Sequence, residues 1–181
     1  MDKNKIINTL INITKQNLNT TEALLKVSLK DLNKKENSKS WSVLECISHL
    51  NIYGSFYLPE IENVMAKASL STSTNFKSGF LGGYFVNLIK PKEKLNQMKT
   101  LNKFNPIGSK LNKDTLIDFK EQQIKMLELL SKVSKVNLST TKTAVSISKL
   151  IKMRLGDTLQ FVVYHNQRHL IQANKALELK L

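Results

Sequence analysis

The three histidines of the chain are spaced as the ligands of a metal site would be. His165 and His169 lie four residues apart in the segment HNQRH, and His49 ends the segment WSVLECISH. On a helix, residues four apart lie on the same face, so these two imidazoles can converge on one ion. His49 on a packed neighbouring helix would complete a site with open coordination positions, as in catalytic zinc sites. The alternative is a chance pair of histidines that are hydrogen-bonded in the core.

Three polar residues lie close enough in sequence to support such a site. Glu45 precedes His49 by one helical turn, and it either orients that ligand or completes a capping box with Ser42, which we favour. Tyr53 follows His49 by one turn, and Gln172 follows His169 by three residues. Both side chains either line the open coordination position or pack and form hydrogen bonds inside the fold.

Three further residues are weaker candidates. Cys46 could approach the ion, but a single buried cysteine is more often a small hydrophobic core residue. Arg168 is rotated by roughly 100° from His169 at 3.6 residues per turn, so we expect it at the surface or in an interface. Trp41 precedes the second helix and is expected to pack at the end of the fold as a hydrophobic staple. The sequence shows no clear general base, so any chemistry would depend on the ion.

The apolar periodicity predicts four long helices and one long connection. The second helix contains Pro59, where we expect a kink. The third begins with Asp114 as its expected cap. The segment after it, including VSISKLIKM, fits either a short strand or a helix. The predicted helices span about 2–32, 42–68, 114–133 and 156 or 157 to 179, and a crossover over 69–113 has a short helical piece near 82–89.

This pattern predicts an all-α protein, a four-helix bundle with a long crossover between helices two and three. The 181 residues and the 41% hydrophobic content fit a single domain over residues 1–181. The inward faces of the second and fourth helices would bring His49, His165 and His169 together in the bundle interior. A crossover as long as 69–113 usually covers something or has a task.

The net charge of +14 raises the possibility of an anionic partner. Only Arg154 and Arg168 are arginines among the 28 basic residues, and the lysines are spread along the chain. Arginine is the residue best suited to bidentate contact with phosphate or guanine, so specific nucleic-acid binding is disfavoured. The alternative function that stays open is a non-catalytic helical module that binds an anionic partner through its basic surface.

Three features of the sequence predict the cellular compartment. No stretch approaches the roughly 20 apolar residues of a membrane span, and the N-terminus does not resemble a signal peptide. A single cysteine, Cys46, cannot form an internal disulfide. We therefore expect a cytoplasmic protein without a membrane partner.

Two segments resemble the signatures of a known superfamily. WSVLECISHLNIY has a tryptophan followed eight residues later by a histidine, and LGDTLQFVVYHNQRHLIQANKAL has HxxxH followed by a glutamine. Together with the four-helix plan, they resemble the DinB/YfiT-like superfamily over nearly the whole chain. The resemblance implies a bundle in which His49, His165 and His169 bind a divalent transition metal, commonly nickel or zinc.

The resemblance also implies a range of activities and a homodimer. Some members use the metal to activate a low-molecular-weight thiol, such as bacillithiol or mycothiol, for transfer or isomerisation, and others are thought to be hydrolases. The expected function is therefore that of a metal-dependent enzyme, either a thiol-dependent S-transferase or a hydrolase. A metal-binding bundle without turnover is a third possibility. Neither the reaction nor the ion follows from the sequence.

Overall fold

A computed structural model describes residues 1–92 and 99–178 of the chain. The described part contains six α-helices, a two-stranded sheet and two 3₁₀ turns, at Asn102–Phe104 and Val133–Lys135. The helices are α1 (Lys3–Leu25), α2 (Leu29–Leu32), α3 (Val43–Lys67), α4 (Phe80–Ile89), α5 (Asp114–Lys132) and α6 (Leu155–Glu178), and the strands are β1 (Lys142–Val145) and β2 (Ser148–Arg154).

The four long helices form the predicted bundle. Both α1 and α3 pack against α5 and α6, so the order around the bundle is α1, α5, α3, α6. The consecutive long helices α1 and α3 therefore lie diagonally across the bundle, and α3 lies beside α6. This arrangement confirms the all-α fold class and brings the two histidine-bearing helices into direct contact.

The prediction that the first helix reaches Leu32 is wrong. Helix α1 ends at Leu25, and a separate short helix α2 follows. Ser28 is in an extended conformation, and its hydroxyl accepts a hydrogen bond from the amide of Asp31 at 3.1 Å. Serine side chains compete for backbone donors in this way, which favours a new helix start over continuation of the first helix.

The starts of the later helices differ slightly from the predictions. Asp114 was expected as the cap of α5, but it is the first helical residue, and its amide donates to the side chain of Asn112 at 2.9 Å. Helix α6 begins at Leu155, and its predicted end at Leu179 lies outside the described residues. Pro59 lies inside α3, which is assigned as one helix across it.

The ambiguous segment before α6 forms a β-hairpin. Strands β1 and β2 pair antiparallel, with a register shift between Ala144 and Val145. The side chain of Glu60 on α3 accepts a hydrogen bond from the amide of Ala144 at 2.6 Å, and the Tyr57 hydroxyl accepts one from the amide of Ser146 at 3.2 Å. The hairpin is therefore held against α3.

The crossover between α3 and α5 contains helix α4, which begins at Phe80, two residues before the predicted piece. Helix α4 packs on α6 and β2. The contact with α6 is close because a Cβ atom at Gly82 would lie 2.5 Å from the Cβ of Asp157. The carboxylate of Asp157 also accepts hydrogen bonds from the Ser78 hydroxyl and the Gly79 amide, which fixes the start of α4 to the start of α6.

Two separate hydrophobic clusters form the core, and the histidines lie near the boundary between them. The first cluster takes residues from Tyr57 onward on α3 and up to Tyr164 on α6. The second takes residues up to Leu50 on α3 and from Leu170 onward on α6. None of the helices in the described ranges is both long and apolar enough to cross a membrane.

Cys46 is a fully buried member of the second cluster, and this position predicts its reactivity. Burial, followed by the charge of Glu45, raises the pKa of the Cys46 thiol to about 12. At pH 8 only about one thiol in ten thousand would then be ionised. We expect native protein to resist alkylation by iodoacetamide for hours and denatured protein to react within minutes, as followed by mass spectrometry. A Cys46→Ala variant is the control, and rapid labelling of the folded protein would contradict the burial of this thiol.

Candidate metal centre

The packing of α3 against α6 brings the three histidines into one buried group. His49, His165 and His169 are 3%, 4% and 9% exposed, respectively. Each offers one ring nitrogen to the group, and the three ligand atoms all lie within 4.8 Å of one another. The sequence analysis placed His165 and His169 on one helix face and expected His49 from a packed neighbouring helix, and the structure has His49 on α3 beside α6. These three residues could hold a metal ion.

The separation between two of the nitrogens fits shared coordination. The Nε2 atoms of His49 and His165 are 3.2 Å apart. With metal–nitrogen bonds of about 2.0–2.1 Å, two ligands at tetrahedral or octahedral angles lie about 2.8–3.4 Å apart. These two nitrogens therefore already have the spacing that a common ion requires.

Two of the rings have their outer nitrogen fixed by a hydrogen bond. Nδ1 of His49 lies 2.7 Å from the carbonyl oxygen of Phe104, and Nδ1 of His169 lies 2.9 Å from Oε1 of Gln172. Because these oxygens accept hydrogen bonds, each Nδ1 carries the proton and each Nε2 presents a lone pair. Such partners orient metal-bound histidines and fix their tautomer.

A metal ion can interact with all three inner ring nitrogens, whereas a single shared proton cannot. With Nδ1 protonated on His49 and His169, both rings present only an acceptor at Nε2. If Nε2 of His165 carries a proton, it can donate to Nε2 of His49 or to Nε2 of His169, but not to both. The second nitrogen then receives no hydrogen bond from His165. A divalent ion would accept lone pairs from all three rings at once.

Burial keeps these imidazoles neutral. It lowers the pKa of His49, and it lowers the pKa of His169 to about 3. The pKa of His165 falls well below its ordinary value, chiefly through burial and then through the charges of His169 and His49. Neutral imidazole is the form that binds metals, so no proton has to leave these rings at neutral pH.

Aromatic rings surround the group. Tyr53 lies against His49 and His165, with ring centroids 4.9 and 4.6 Å away. Trp41 packs against the second hydrophobic cluster beside the start of α3, and its ring also lies 4.9 Å from His49 and 5.7 Å from His169. The indole N–H donates to Asn105 of the crossover at 3.1 Å, which holds the ring over the histidines.

Glu45 has the capping role that we favoured. Its carboxylate accepts from the amide of Ser42 at 2.9 Å, and its own amide donates to the Ser42 hydroxyl, which completes the capping box. The same carboxylate also accepts from Lys35 at 2.6 Å and from the amide of Gly108 at 2.7 Å. Glu45 thus ties the start of α3 to two loops rather than orienting a histidine.

A cavity of about 1040 Å³ opens beside the histidines. Its walls come from α3, α4, α6, the hairpin and the crossover, and they include Tyr53, Gln172 and Phe161. Cys46 is not among the lining residues and does not belong to the histidine group. The structure therefore places the two predicted pocket residues at the site and Cys46 in the core.

The position predicted for Arg168 is wrong. It is only 5% exposed and lines the same cavity as His165 and His169. The rotation of roughly 100° does take it off the ligand face, but the cavity is wide enough to reach the adjoining face of α6. Burial lowers the pKa of its guanidinium. Sequence reasoning also missed Phe104, because a backbone carbonyl acceptor leaves no signal in the residue type.

Comparison with protein families agrees with this geometry. A model of the DinB superfamily matches residues 13–173, which include all three histidines and all four long helices in whole or in large part. Comparisons with curated proteins and with solved structures gave no significant match. The match covers most of the chain, and the chain therefore belongs to the DinB superfamily.

Proposed function

We propose that this protein is a metal-dependent enzyme that binds a divalent ion through His49, His165 and His169. It would act as a thiol-dependent S-transferase or as a hydrolase. The observation that carries the proposal is the convergence of three buried, neutral imidazoles at the wall of a large cavity. Membership of the DinB superfamily supports it.

The surroundings favour a catalytic over a structural site. Structural zinc sites are closed by four protein ligands, whereas catalytic sites keep a position for water or substrate. Among the described residues, one cluster of histidine, cysteine or acidic side chains is close enough to share a metal ion, and it has three members. The adjacent cavity of about 1040 Å³ would give a substrate access to the remaining coordination positions.

Nickel or zinc is the ion that we propose, since imidazole nitrogens suit both metals. When bound, such an ion would lower the pKa of a coordinated water to roughly 7 or stabilise a thiolate at neutral pH. The cavity also has room for a small thiol together with a second reactant. A reducing compartment, as in the cytoplasm, would keep that thiol available.

The residues around the group would position the reactants and exclude water. Gln172 and the Phe104 carbonyl hold two rings in the orientation that leaves Nε2 for the ion. Burial raises the pKa of Tyr53 to about 12, so its hydroxyl stays protonated and can donate a hydrogen bond to a bound substrate. The rings of Trp41 and Tyr53 shield the group from bulk water.

A carboxylate general base is not part of the proposal. Within the described ranges, Glu36 is the one acidic residue that lines the cavity, and its side chain is exposed. We propose that the ion itself would generate the nucleophile. The homodimer implied by the family resemblance remains a prediction.

Turnover with and without metal tests this proposal. Protein stripped with a chelator and reloaded with nickel or zinc is assayed for two reactions. One is the substitution of chloride in 1-chloro-2,4-dinitrobenzene by a panel of small thiols, with release of chloride and a proton, and the other is hydrolysis of p-nitrophenyl acetate. We expect activity only in the loaded protein and a loss of at least about 100-fold in His169→Ala. Glu36→Gln should keep full activity because no carboxylate is required.

Equal rates in stripped and loaded protein would contradict a metal-dependent enzyme. Salt-dependent association with an anionic macromolecule, without any metal dependence, would then favour the non-catalytic binding module.

Gln172 should control metal affinity through the orientation of His169. We expect Gln172→Leu to weaken zinc binding about tenfold, since loss of such a partner typically costs 10–100-fold. Gln172→Glu keeps the acceptor and should retain affinity. Competition with a chromophoric chelator measures the dissociation constants. The matched control is Gln160→Ala on the same helix, where the side chain donates to the Gly156 carbonyl. Unchanged affinity in Gln172→Leu would show that this hydrogen bond does not position a ligand.

A further inference from the structure

The cavity beside the histidines has one apolar end. Within the described ranges, every charged residue that lines the cavity comes from the segment before α3, from the crossover after α4, or from α6 at Arg168 and beyond. In the same ranges, α4 and the β-hairpin contribute no charged residue to the lining. We define the apolar end as the wall formed by α4, the hairpin and the adjoining residues of α3 and α6. It includes Tyr57, Phe85, Leu88, Ile147, Met153 and Phe161.

The apolar end continues directly from the histidine group. The ring of Phe161 stacks on that of His165, with centroids 5.6 Å apart and an angle of 22° between the planes. The Phe161 centroid in turn lies 6.4 Å from that of Phe85 and 5.8 Å from that of Tyr57. Phe161 precedes His165 by four residues, or about 6 Å along α6. A molecule that reacts beside the histidines therefore needs only a short chain to reach the apolar end.

Several side chains of the apolar end are not part of the core. Phe85 and Leu88 are half-buried and Ile147 is 46% exposed, and none of the three belongs to either hydrophobic cluster. Apolar surface left in water is unfavourable in proportion to its area. Single exposed hydrophobic residues are common, but these three share one concave wall with the candidate metal centre. They are available to bury an apolar group of a bound molecule.

The outer face of α4 is a separate apolar surface. Phe80 is 98% exposed and Tyr84 is 60% exposed, and neither residue lines the cavity. The occupant of the apolar end is identified instead by the continuity of this wall with His165 through Phe161. It is part of the molecule that reacts beside the histidines.

We propose that the substrate carries a neutral apolar group, aromatic or alkyl, that binds in the apolar end while its reacting atom lies beside the histidines. The inference rests on the proposed function, since the reaction would take place at the same site. Among the reactants of that function, it selects hydrophobic electrophiles and esters of hydrophobic acids. The preference for an apolar group does not itself require a bound ion.

A neutral fluorescent probe tests the apolar end without any reaction. N-phenyl-1-naphthylamine becomes brighter when it leaves water, and it has no charge for the lysines to attract. It is titrated into chelator-treated full-length protein, where we expect saturable binding of about one equivalent. 1-Hexanol should displace the probe. 1,6-Hexanediol should compete at least about threefold more weakly, because its second hydroxyl would be buried among apolar side chains.

Two matched pairs of variants locate the bound probe. Leu88→Gln places a polar group in the apolar end, whereas Leu81→Gln makes the same change on α4 at a position that does not line the cavity. Ile147→Gln and Ile117→Gln form the second pair, since these residues are 46% and 45% exposed and Ile117 does not line the cavity.

The cavity variants Leu88→Gln and Ile147→Gln should each weaken probe binding at least about threefold. Their controls, Leu81→Gln and Ile117→Gln, should leave it unchanged. Circular dichroism checks that each variant keeps its helical content. If Leu88→Gln does not fold, the second pair decides, because Ile147 lies in the connection between the two strands.

Inhibition connects the probe site to the substrate site. In protein loaded with metal, 1-hexanol should inhibit whichever reaction proceeds, and it should do so in competition with the substrate. 1,6-Hexanediol should again be at least about threefold weaker. Inhibition that does not compete with the substrate would place the apolar end outside the substrate site and overturn the inference.

Three results of the probe measurements would also overturn it: no saturable binding, equal competition by the two alcohols, or equal behaviour of the two members of each pair. Because these measurements use metal-free protein, they can succeed where metal-dependent turnover fails. Metal-dependent turnover in a protein that does not bind the probe would instead leave the proposed function intact and remove this inference alone.

Discussion

The contact between α3 and α6 is the constraint on which the rest of the site depends. It buries three imidazoles whose inner nitrogens face one another, with His49 Nε2 and His165 Nε2 at 3.2 Å. Buried polar atoms are costly unless they are satisfied, and hydrogen bonds from Nδ1 to Phe104 and Gln172 satisfy only the outer side of two rings. The inner nitrogens lie close enough together that the group could hold a metal ion.

The connections between the long helices complete what the bundle alone does not supply. The crossover contributes the Phe104 carbonyl and the Asn105 side chain that holds Trp41, and the hairpin and α4 contribute further cavity walls. Glu45 fixes the crossover to the start of α3 through Gly108, and Asp157 fixes α4 to the start of α6. The length of the crossover therefore has a physical reason, since it builds one side of the cavity.

Relations between residues of one helix followed directly from the sequence, whereas relations between residues on different elements followed only in part. The four-residue spacing of His165 and His169 fixes their common face, and the capping box of Ser42 and Glu45 follows from their three-residue spacing. The inward faces of the two helices predicted that His49 would join that pair, but periodicity does not show that α3 and α6 are direct neighbours in the bundle. Arg168 was misplaced because the cavity that it lines is formed by segments distant in sequence.

Elemental analysis would measure directly whether His49, His165 and His169 bind a metal ion. Protein purified without an affinity tag or a chelator is compared by mass spectrometry with a His165→Ala, His169→Ala double variant whose helical content is checked by circular dichroism. We expect about one equivalent of a transition metal in the native protein and its loss in the variant. Equal metal content in both proteins, or none in the native protein even after reconstitution with nickel and zinc, would contradict a three-histidine metal centre.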